Sequence, residues 1–175
     1  MILFCADNAT QGDIISNFKG EPFQGTKTTT TKFGTLTPLL AYLPGTIAPG
    51  QTDSTLIDYT DFLPTLANAG RTTPTAAYGY LDGTTFFDNM LGTPKQDRKW
   101  VFCKWDNDIN DFDLTPPVRY TNNTIYKLYD RKNDDKNFYN MLLDPYEKNP
   151  IPQSRLTSTE VKIKNGFKQV LSHLK

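Results

Sequence analysis

The sequence has 175 residues, 37% of them hydrophobic and 13% aromatic, which is the composition of a globular protein and excludes a disordered one. Nineteen basic residues balance nineteen acidic ones, so no net charge favours nucleic acid or an anionic membrane, and we expect neither as a partner. No apolar run approaches the roughly 20 residues of a membrane helix, and the start of the chain lacks the basic flank of a signal peptide.

Two continuously apolar stretches near the start predict β-strands. Residues 2–6 (ILFCA) and 38–45 (PLLAYLPG) are typical of strands in a parallel sheet that is covered on both faces. Residues 9–37 between them are polar and too long for a passive connection, so we expect a functional loop there. Cys5 in the first strand and Cys103 in a later apolar run are expected to be buried free thiols, with a disulfide as the alternative.

The middle of the chain predicts a helix with defined ends. A proline deep inside a helix costs about 3 kcal/mol, so the helix is expected to begin near Thr60 or Asp61, with Pro64 in its first turn. Gly70 then ends it. Residues 72–98 are rich in turn residues and predict only a short helical segment.

The later part of the chain predicts an antiparallel sheet. Four stretches combine β-branched and aromatic residues between clusters of Asn and Asp, and they predict three or four strands within residues 99–105, 117–123, 124–131 and 137–144. A terminal helix follows, because Thr157 and Glu160 have the spacing of a capping box and residues 163–174 place apolar side chains at helical intervals.

The predicted fold class is therefore α/β, and residues 1–175 form one domain or one fragment of a larger fold. Residues 1–98 would supply strands of a mainly parallel core sheet, a loop and a helix. Residues 99–175 would supply a small antiparallel sheet packed by the C-terminal helix.

An acid and an amide follow the first predicted strand directly. Hard divalent cations such as calcium take oxygen ligands from carboxylates and side-chain carbonyls, and Asp7 and Asn8 offer two of them at the end of a strand. The alternative is that this pair only turns or caps the chain, as Asp and Asn often do after a strand.

The order of several short motifs along the chain adds to these observations. The stretches are FCADNAT, GTKTTTTKFGTLTPLLAYLPG, TLIDYTDFLPTLANAG, YLDGTTFFDNMLG, YKLYD and FYNMLLDPYEKN. In this order the chain resembles the sulfatase family (arylsulfatase-like) along nearly its entire length, in the C-terminal part of the catalytic fold.

The resemblance implies an alkaline phosphatase-like fold and hydrolysis of sulfate esters by a sulfuric ester hydrolase. In that family a cysteine becomes formylglycine and attacks sulfur, while a calcium ion neutralises the sulfate oxygens. Asp7 and Asn8 would be two metal ligands of this chain, and Lys27, in the Gly-x-Lys position, would contact the sulfate and act in catalysis. Proteins of this family are usually exported, periplasmic or lysosomal, and the sequence leaves the localisation open.

Several positions depart from the family pattern. Neither Cys5 nor Cys103 lies in a Cys-x-Pro-x-Arg sequence, so the nucleophile is missing, and His173 in the terminal helix is expected to be a surface or packing residue. Four further departures place the substrate side of the site in question: Ala9 for glycine, Lys32 for an acid, Phe33 for a small residue, and Leu36 for arginine or histidine.

Two functions follow from the sequence. The first is the C-terminal segment of a sulfatase that contributes calcium ligands and a lysine and is inactive alone, so whether the chain is itself an enzyme stays open. The second is a non-catalytic, sulfatase-like binding or structural module. Expected partners are a sulfate ester, together with either the missing N-terminal sulfatase portion or further copies of the chain joined through the strands of residues 2–6 and 38–45.

Overall fold

The computed structural model describes most of the chain, namely residues 1–18, 20–74, 79–93, 98–105, 118–131 and 137–174. Its contacts divide the chain into two compact units, Met1–Phe4 with Leu39–Val101 and Cys5–Pro38 with Phe102–Lys175. The prediction of one domain, divided at residue 98, stays a prediction. Within the described ranges no helix is long and apolar enough to cross a membrane.

Eight strands and four α-helices are present in these ranges. The strands are β1 (Ile2–Cys5), β2 (Ile15–Phe18), β3 (Glu21–Gln24), β4 (Leu39–Tyr42), β5 (Val101–Trp105), β6 (Val118–Asn122), β7 (Tyr126–Asp130) and β8 (Phe138–Asn140). The helices are α1 (Lys32–Thr35), α2 (Phe62–Ala69), α3 (Phe87–Met90) and α4 (Ser158–His173).

In the first unit, β1 and β4 pair with each other and form a two-stranded sheet. The prediction of two strands here is confirmed, and the prediction of a sheet covered on both faces stays a prediction. Alternate side chains of both strands are more than half exposed: Ile2 (62%), Phe4 (62%), Leu40 (63%) and Tyr42 (61%). Because side chains alternate between the faces of a strand, Ile2 and Phe4 lie on one face of β1, and Leu40 and Tyr42 on one face of β4. These four exposed apolar side chains are called here the β1/β4 face.

The predicted bounds of α2 are confirmed. A 3-10 turn at Tyr59–Asp61 leads into α2, Pro64 lies in the first turn, and Gly70 caps the C-terminus. The carboxylate of Asp61 is fully buried and accepts hydrogen bonds from the backbone amides of Asp58 (2.9 Å) and Thr84 (2.7 Å). It also forms an ion pair with Arg98.

Thr65 completes this connection inside the first unit. Its hydroxyl donates to the carbonyl oxygen of Asp61 at 2.6 Å and accepts from the backbone amide of Phe86 at 3.0 Å. The Asp-x-x-Pro-Thr sequence therefore fastens the start of α2 to residues 84–86, and its role here is structural.

In the second unit, β5–β8 form a four-stranded sheet in sequence order. Its registers are antiparallel for β6 with β7 and for β7 with β8, as predicted. The mainly parallel sheet predicted for the early strands is not confirmed, and a mixed helix and sheet architecture is what the structure shows. Tyr120, Tyr129 and Tyr139 form a buried aromatic cluster on this sheet.

The terminal helix α4 packs on β6 and β7. Thr157 and Glu160 form the predicted capping box, in which the Thr157 amide donates to Glu160 Oε2 at 2.8 Å. Phe167 and Leu171 are buried on the inner face. The guanidinium of Arg119 donates to the carbonyl oxygen of Leu171 at 2.6 Å and thereby fixes the end of the helix.

Candidate functional site

Asp7 and Asn8 lie just after β1, with only Ala6 between the strand and Asp7, in agreement with the sequence. Asp7 is exposed and Asn8 is half-buried, so both side chains are available for a ligand. Two residues further on, the carbonyl oxygen of Thr10 accepts a hydrogen bond from the backbone amide of Lys27 at 3.0 Å. The segment after the acid-amide pair is thereby joined to the segment that carries the lysine.

This close approach explains the glycine of the Gly-x-Lys sequence. A Cβ atom on Gly25 would lie 1.9 Å from the carbonyl oxygen of Gln11 and 2.5 Å from that of Thr10. No side chain fits at those distances, so only glycine lets the two segments pair beside Lys27. The Lys27 side chain itself is exposed.

Residues 26–32, called here the lysine loop, are held by their own threonines. Thr28 has a positive φ of 70°, and the hydroxyl of Thr29 donates to the carbonyl oxygen of Thr26 at 2.8 Å. Gly34 closes the loop, because a Cβ there would lie 2.2 Å from the Thr29 carbonyl oxygen. The repeated threonines therefore set the conformation of the loop, by the local hydrogen bonds that hydroxyl side chains make to backbone.

A buried ionic group lies behind the lysine loop. Glu147 Oε1 accepts from Lys127 Nζ at 2.8 Å and from the backbone amide of Lys32 at 2.6 Å. Glu147 Oε2 accepts from the hydroxyl of Tyr129 at 2.5 Å. The side chains of Lys127 and Glu147 are 1% and 3% exposed, so solvent screens this pair very little.

Burial is the largest influence on the pKa values of Lys127 and Tyr129. It lowers the pKa of Lys127 below the ordinary lysine value, and the carboxylate of Glu147 opposes that shift. Burial likewise raises the pKa of Tyr129, and the hydrogen bond to Glu147 and its negative charge add to the rise. Tyr129 is therefore a neutral hydrogen-bond donor over the physiological pH range.

The departures at residues 33 and 36 have different structural settings. Phe33 lies between Phe23 and Tyr146 with ring centroids 4.8 and 5.3 Å away, so its ring packs α1 against the β2–β3 hairpin and residue 146. Leu36 is 61% exposed, and no contact in the structure explains why an apolar residue stands there.

The residues that could hold a metal form only part of a shell. Within the described ranges no group of three or more His, Cys, Asp or Glu side chains is clustered. Asp7 and Asn8 offer two oxygens, whereas calcium takes six to eight, so a calcium ion here would need further ligands from water or another polypeptide. The donor chemistry fits calcium but the number of donors does not complete a site.

The remaining candidates from the sequence are the two cysteines and His173. Cys5 and Cys103 are free thiols, each half-buried. His173 is exposed on α4 and its ring contacts the carbonyl oxygen of Gln169 at 2.7 Å, so the prediction of a surface residue is confirmed.

Sequence reasoning missed the roles of Lys127, Tyr129 and Glu147. Lys127 and Tyr129 lie in a predicted strand, and Glu147 lies in the Asp-Pro-x-Glu turn that contributes to the family resemblance. The available signal was a lysine flanked by the aromatic and aliphatic residues Tyr126 and Leu128 inside a strand, because a buried lysine needs an anionic partner.

The fold of this chain is found in solved structures. It matches BT4656, solved in complex with its substrate D-glucosamine-2-N,6-O-disulfate, with a TM-score of 0.71 and 18% identity over 97% of this chain and 33% of that one. It also matches a protein from Bacteroides thetaiotaomicron VPI-5482 designated a sulfatase, with a TM-score of 0.58 and 18% identity over 85% of this chain and 31% of that one.

This chain thus spans about a third of the length of either protein. No protein-family model and no curated protein matches the sequence. The structural likeness shows a sulfatase-like fold, in agreement with the C-terminal sulfatase portion predicted from the motifs.

Proposed function

We propose that this chain is the C-terminal segment of a sulfuric ester hydrolase and that it contributes a lysine and two metal ligands to a sulfate-ester site. One observation carries the proposal: the bond between the Lys27 amide and the Thr10 carbonyl oxygen joins the Gly-x-Lys segment to the segment that follows Asp7–Asn8. The sulfatase-like fold of the whole chain supports it.

Lys27 has the chemistry that a sulfate site requires. Its ammonium group is a point charge on a flexible, exposed stem, and it would approach the sulfate and stabilise negative charge on the transferred group. A calcium ion, when bound, would neutralise charge on the sulfate oxygens. Asp7 and Asn8 would hold it in part, and the other ligands would come from elsewhere.

In this proposal the residues of this chain form only part of the site, and another polypeptide segment supplies the rest. The sequence contains no Cys-x-Pro-x-Arg, so the nucleophile would be supplied by another polypeptide segment, and β1 and β4 would then belong to a larger, mainly parallel sheet. The exposed β1/β4 face is the surface that such a segment would cover, since an apolar sheet face of this kind is seldom left open.

The alternative is a non-catalytic binding or structural module with a sulfatase-like fold. Lys32 in place of an acid, the exposed Leu36 and the exposed β1/β4 face favour it. A module of this kind would bind a partner through the β1/β4 face, and Lys27 would not bind sulfate.

Sulfate titration of the chain, followed by NMR at the backbone amide of Lys27, separates the two functions. For the hydrolase segment we expect saturable shifts centred on Lys27 that are lost in Lys27→Ala and kept in Lys162→Ala, which removes an exposed lysine of α4. Titration with sodium chloride controls for ionic strength. Shifts that chloride reproduces, or that Lys27→Ala leaves unchanged, would support the module.

A further inference from the structure

The carboxylate of Glu147 contacts the lysine loop on its buried side. It accepts from the amide of Lys32 within the loop, and from the side chains of Lys127 and Tyr129 on β7. These three donors satisfy a carboxylate that is only 3% exposed. The loop backbone is thus bound to the sheet through one side chain.

Lys127 and Tyr129 also contact the loop directly. Lys127 Nζ donates to the carbonyl oxygen of Thr30 at 2.5 Å. The hydroxyl of Tyr129 lies 3.0 Å from the same carbonyl oxygen and 3.2 Å from the hydroxyl of Thr30. The loop is therefore held at Lys27 itself, by the bond of its backbone amide to Thr10, and again at Thr30 and Lys32.

The buried ion pair of Lys127 and Glu147 is not explained by a contribution to the stability of the fold alone. A buried ion pair loses much of its Coulomb energy to desolvation, and apolar side chains of similar volume often stabilise a fold as well or better. Glu147 also has a positive φ of 55°, which is unfavourable for a residue with a Cβ. Backbone strain and a buried charge at the same residue are typical of active sites and ligand-binding sites, where they hold functional groups in a fixed geometry.

We propose that Glu147, through Lys127 and Tyr129, is a positioning residue that fixes the lysine loop and thereby the direction in which Lys27 meets a sulfate group. This inference rests on the proposed function of Lys27. Glu147 itself does not contact the ligand; it acts through the loop backbone at Thr30 and Lys32.

Hydrogen exchange of the full chain tests the positioning without any ligand. Glu147→Gln keeps the side-chain shape and removes the charge, so the Lys32 amide and its neighbours in the loop should exchange about tenfold faster or more. Glu160→Gln is the matched control, since Glu160 also accepts from a tyrosine hydroxyl of β7, that of Tyr126 at 3.2 Å. The control should leave exchange at Lys32 unchanged, and unchanged exchange in Glu147→Gln would overturn the proposal.

Sulfate affinity separates positioning from a merely structural role. With inorganic sulfate as the probe, Glu147→Gln should weaken binding at Lys27 about fivefold or more, whereas the control Glu160→Gln should leave it unchanged. Sulfate affinity in Glu147→Gln equal to that of the parent chain would contradict the positioning of Lys27. If the parent chain shows no sulfate response, the proposed function fails, and the exchange experiment alone decides whether Glu147 fixes the loop.

A second variant covers the case in which Glu147→Gln does not fold. Tyr129→Phe leaves the ion pair of Lys127 and Glu147 intact and removes only the hydroxyl contacts to Glu147 and Thr30. It should speed exchange in the lysine loop by about threefold or more while exchange in the middle of α4 stays as it was. Loop exchange equal to that of the parent chain would overturn the proposal in this case.

Discussion

The backbone amide of Lys27 and the carbonyl oxygen of Thr10 are joined by a hydrogen bond of 3.0 Å, although the two residues lie on different sides of the β2–β3 hairpin. This bond brings the segments before and after the hairpin together. The close approach is possible because Gly25 has no side chain at the point where the Gln11 backbone passes.

Gly25→Ala should destabilise the second unit by about 2 kcal/mol or more, because its methyl group would lie 1.9 Å from the Gln11 carbonyl oxygen and one of the two segments must move. Urea denaturation followed by circular dichroism measures this. Gly166→Ala is the control: nothing lies within 4 Å of its added Cβ, and in α4 it should stabilise by about 0.5–1 kcal/mol. A stability of Gly25→Ala equal to that of the parent chain would show that the approach is not fixed.

This 175-residue chain by itself should not hydrolyse sulfate esters. Without an attacking group, charge stabilisation by Lys27 has no covalent step to assist. The measurement is release of nitrophenol from 4-nitrophenyl sulfate by the purified chain. Turnover that survives Cys5→Ala and Cys103→Ala, and that Lys27→Ala abolishes, would contradict this prediction and reveal a nucleophile of another kind.

Calcium should bind the isolated chain only weakly. Asp7 and Asn8 provide two oxygens, and water would have to supply most of the others. Isothermal titration calorimetry should show no micromolar binding, with Asp7→Ala and the control Asp13→Ala behaving alike. Micromolar affinity that is lost in Asp7→Ala and kept in Asp13→Ala would mean that the chain completes the shell itself.

The isolated chain should self-associate through the β1/β4 face. Ile2, Phe4, Leu40 and Tyr42 are all more than 60% exposed on two paired strands, and such a face favours contact with a second copy. Sedimentation velocity should show a dimer or larger species that Phe4→Lys converts to monomer. Leu63→Lys, at a side chain of α2 that is 50% exposed, is the control and should leave the mass unchanged. A parent chain that sediments as a monomer at all concentrations would rule this out.

Alkaline pH should destabilise the second unit through Tyr129. The folded chain holds the proton of this hydroxyl well above the ordinary pKa of 10.0, whereas the unfolded chain releases it near that pH, so the free energy of unfolding falls as the pH rises past about 10. Lys127 acts in the opposite direction, because its lowered pKa makes the folded chain lose a proton first.

Urea denaturation at several values between pH 8 and 11 isolates the tyrosine contribution. The fall in stability should be smaller in Tyr129→Phe than in the parent chain and unchanged in Tyr80→Phe, whose side chain is 90% exposed. An identical fall in Tyr129→Phe would show that the decline arises at other groups.

Much of the fold could be predicted because local chemistry determines it. The restriction that Pro64 imposes on a helix start and the conformational freedom of Gly70 place both ends of α2, and the spacing of Thr157 and Glu160 places the start of α4. Each of these signals lies within a few residues of the element that it defines.

The features that were missed depend on distant parts of the chain. The β2–β3 hairpin is short and its alternate residues carry no buried apolar face, and Pro22 in β3 is unusual for a strand, so nothing local distinguishes it from loop. Glu147 contacts Lys32 across 115 positions of sequence, and Lys127 contacts Thr30 across 97. Contacts between residues so far apart in the sequence form only in the folded chain, and local sequence patterns do not predict them.

The arrangement of the two units has a consequence for the order in which the chain folds. Met1–Phe4 and Leu39–Val101 form one unit, and Cys5–Pro38 and Phe102–Lys175 form the other. The contact of Lys127 with Thr30 closes a loop of 97 residues, which costs about 4 kcal/mol of chain entropy before any contact is gained. The inserted unit makes its Asp61 contacts across only 23 to 37 positions. Early formation of that unit would shorten the effective loop, so the lysine loop is expected to reach its final conformation late in folding.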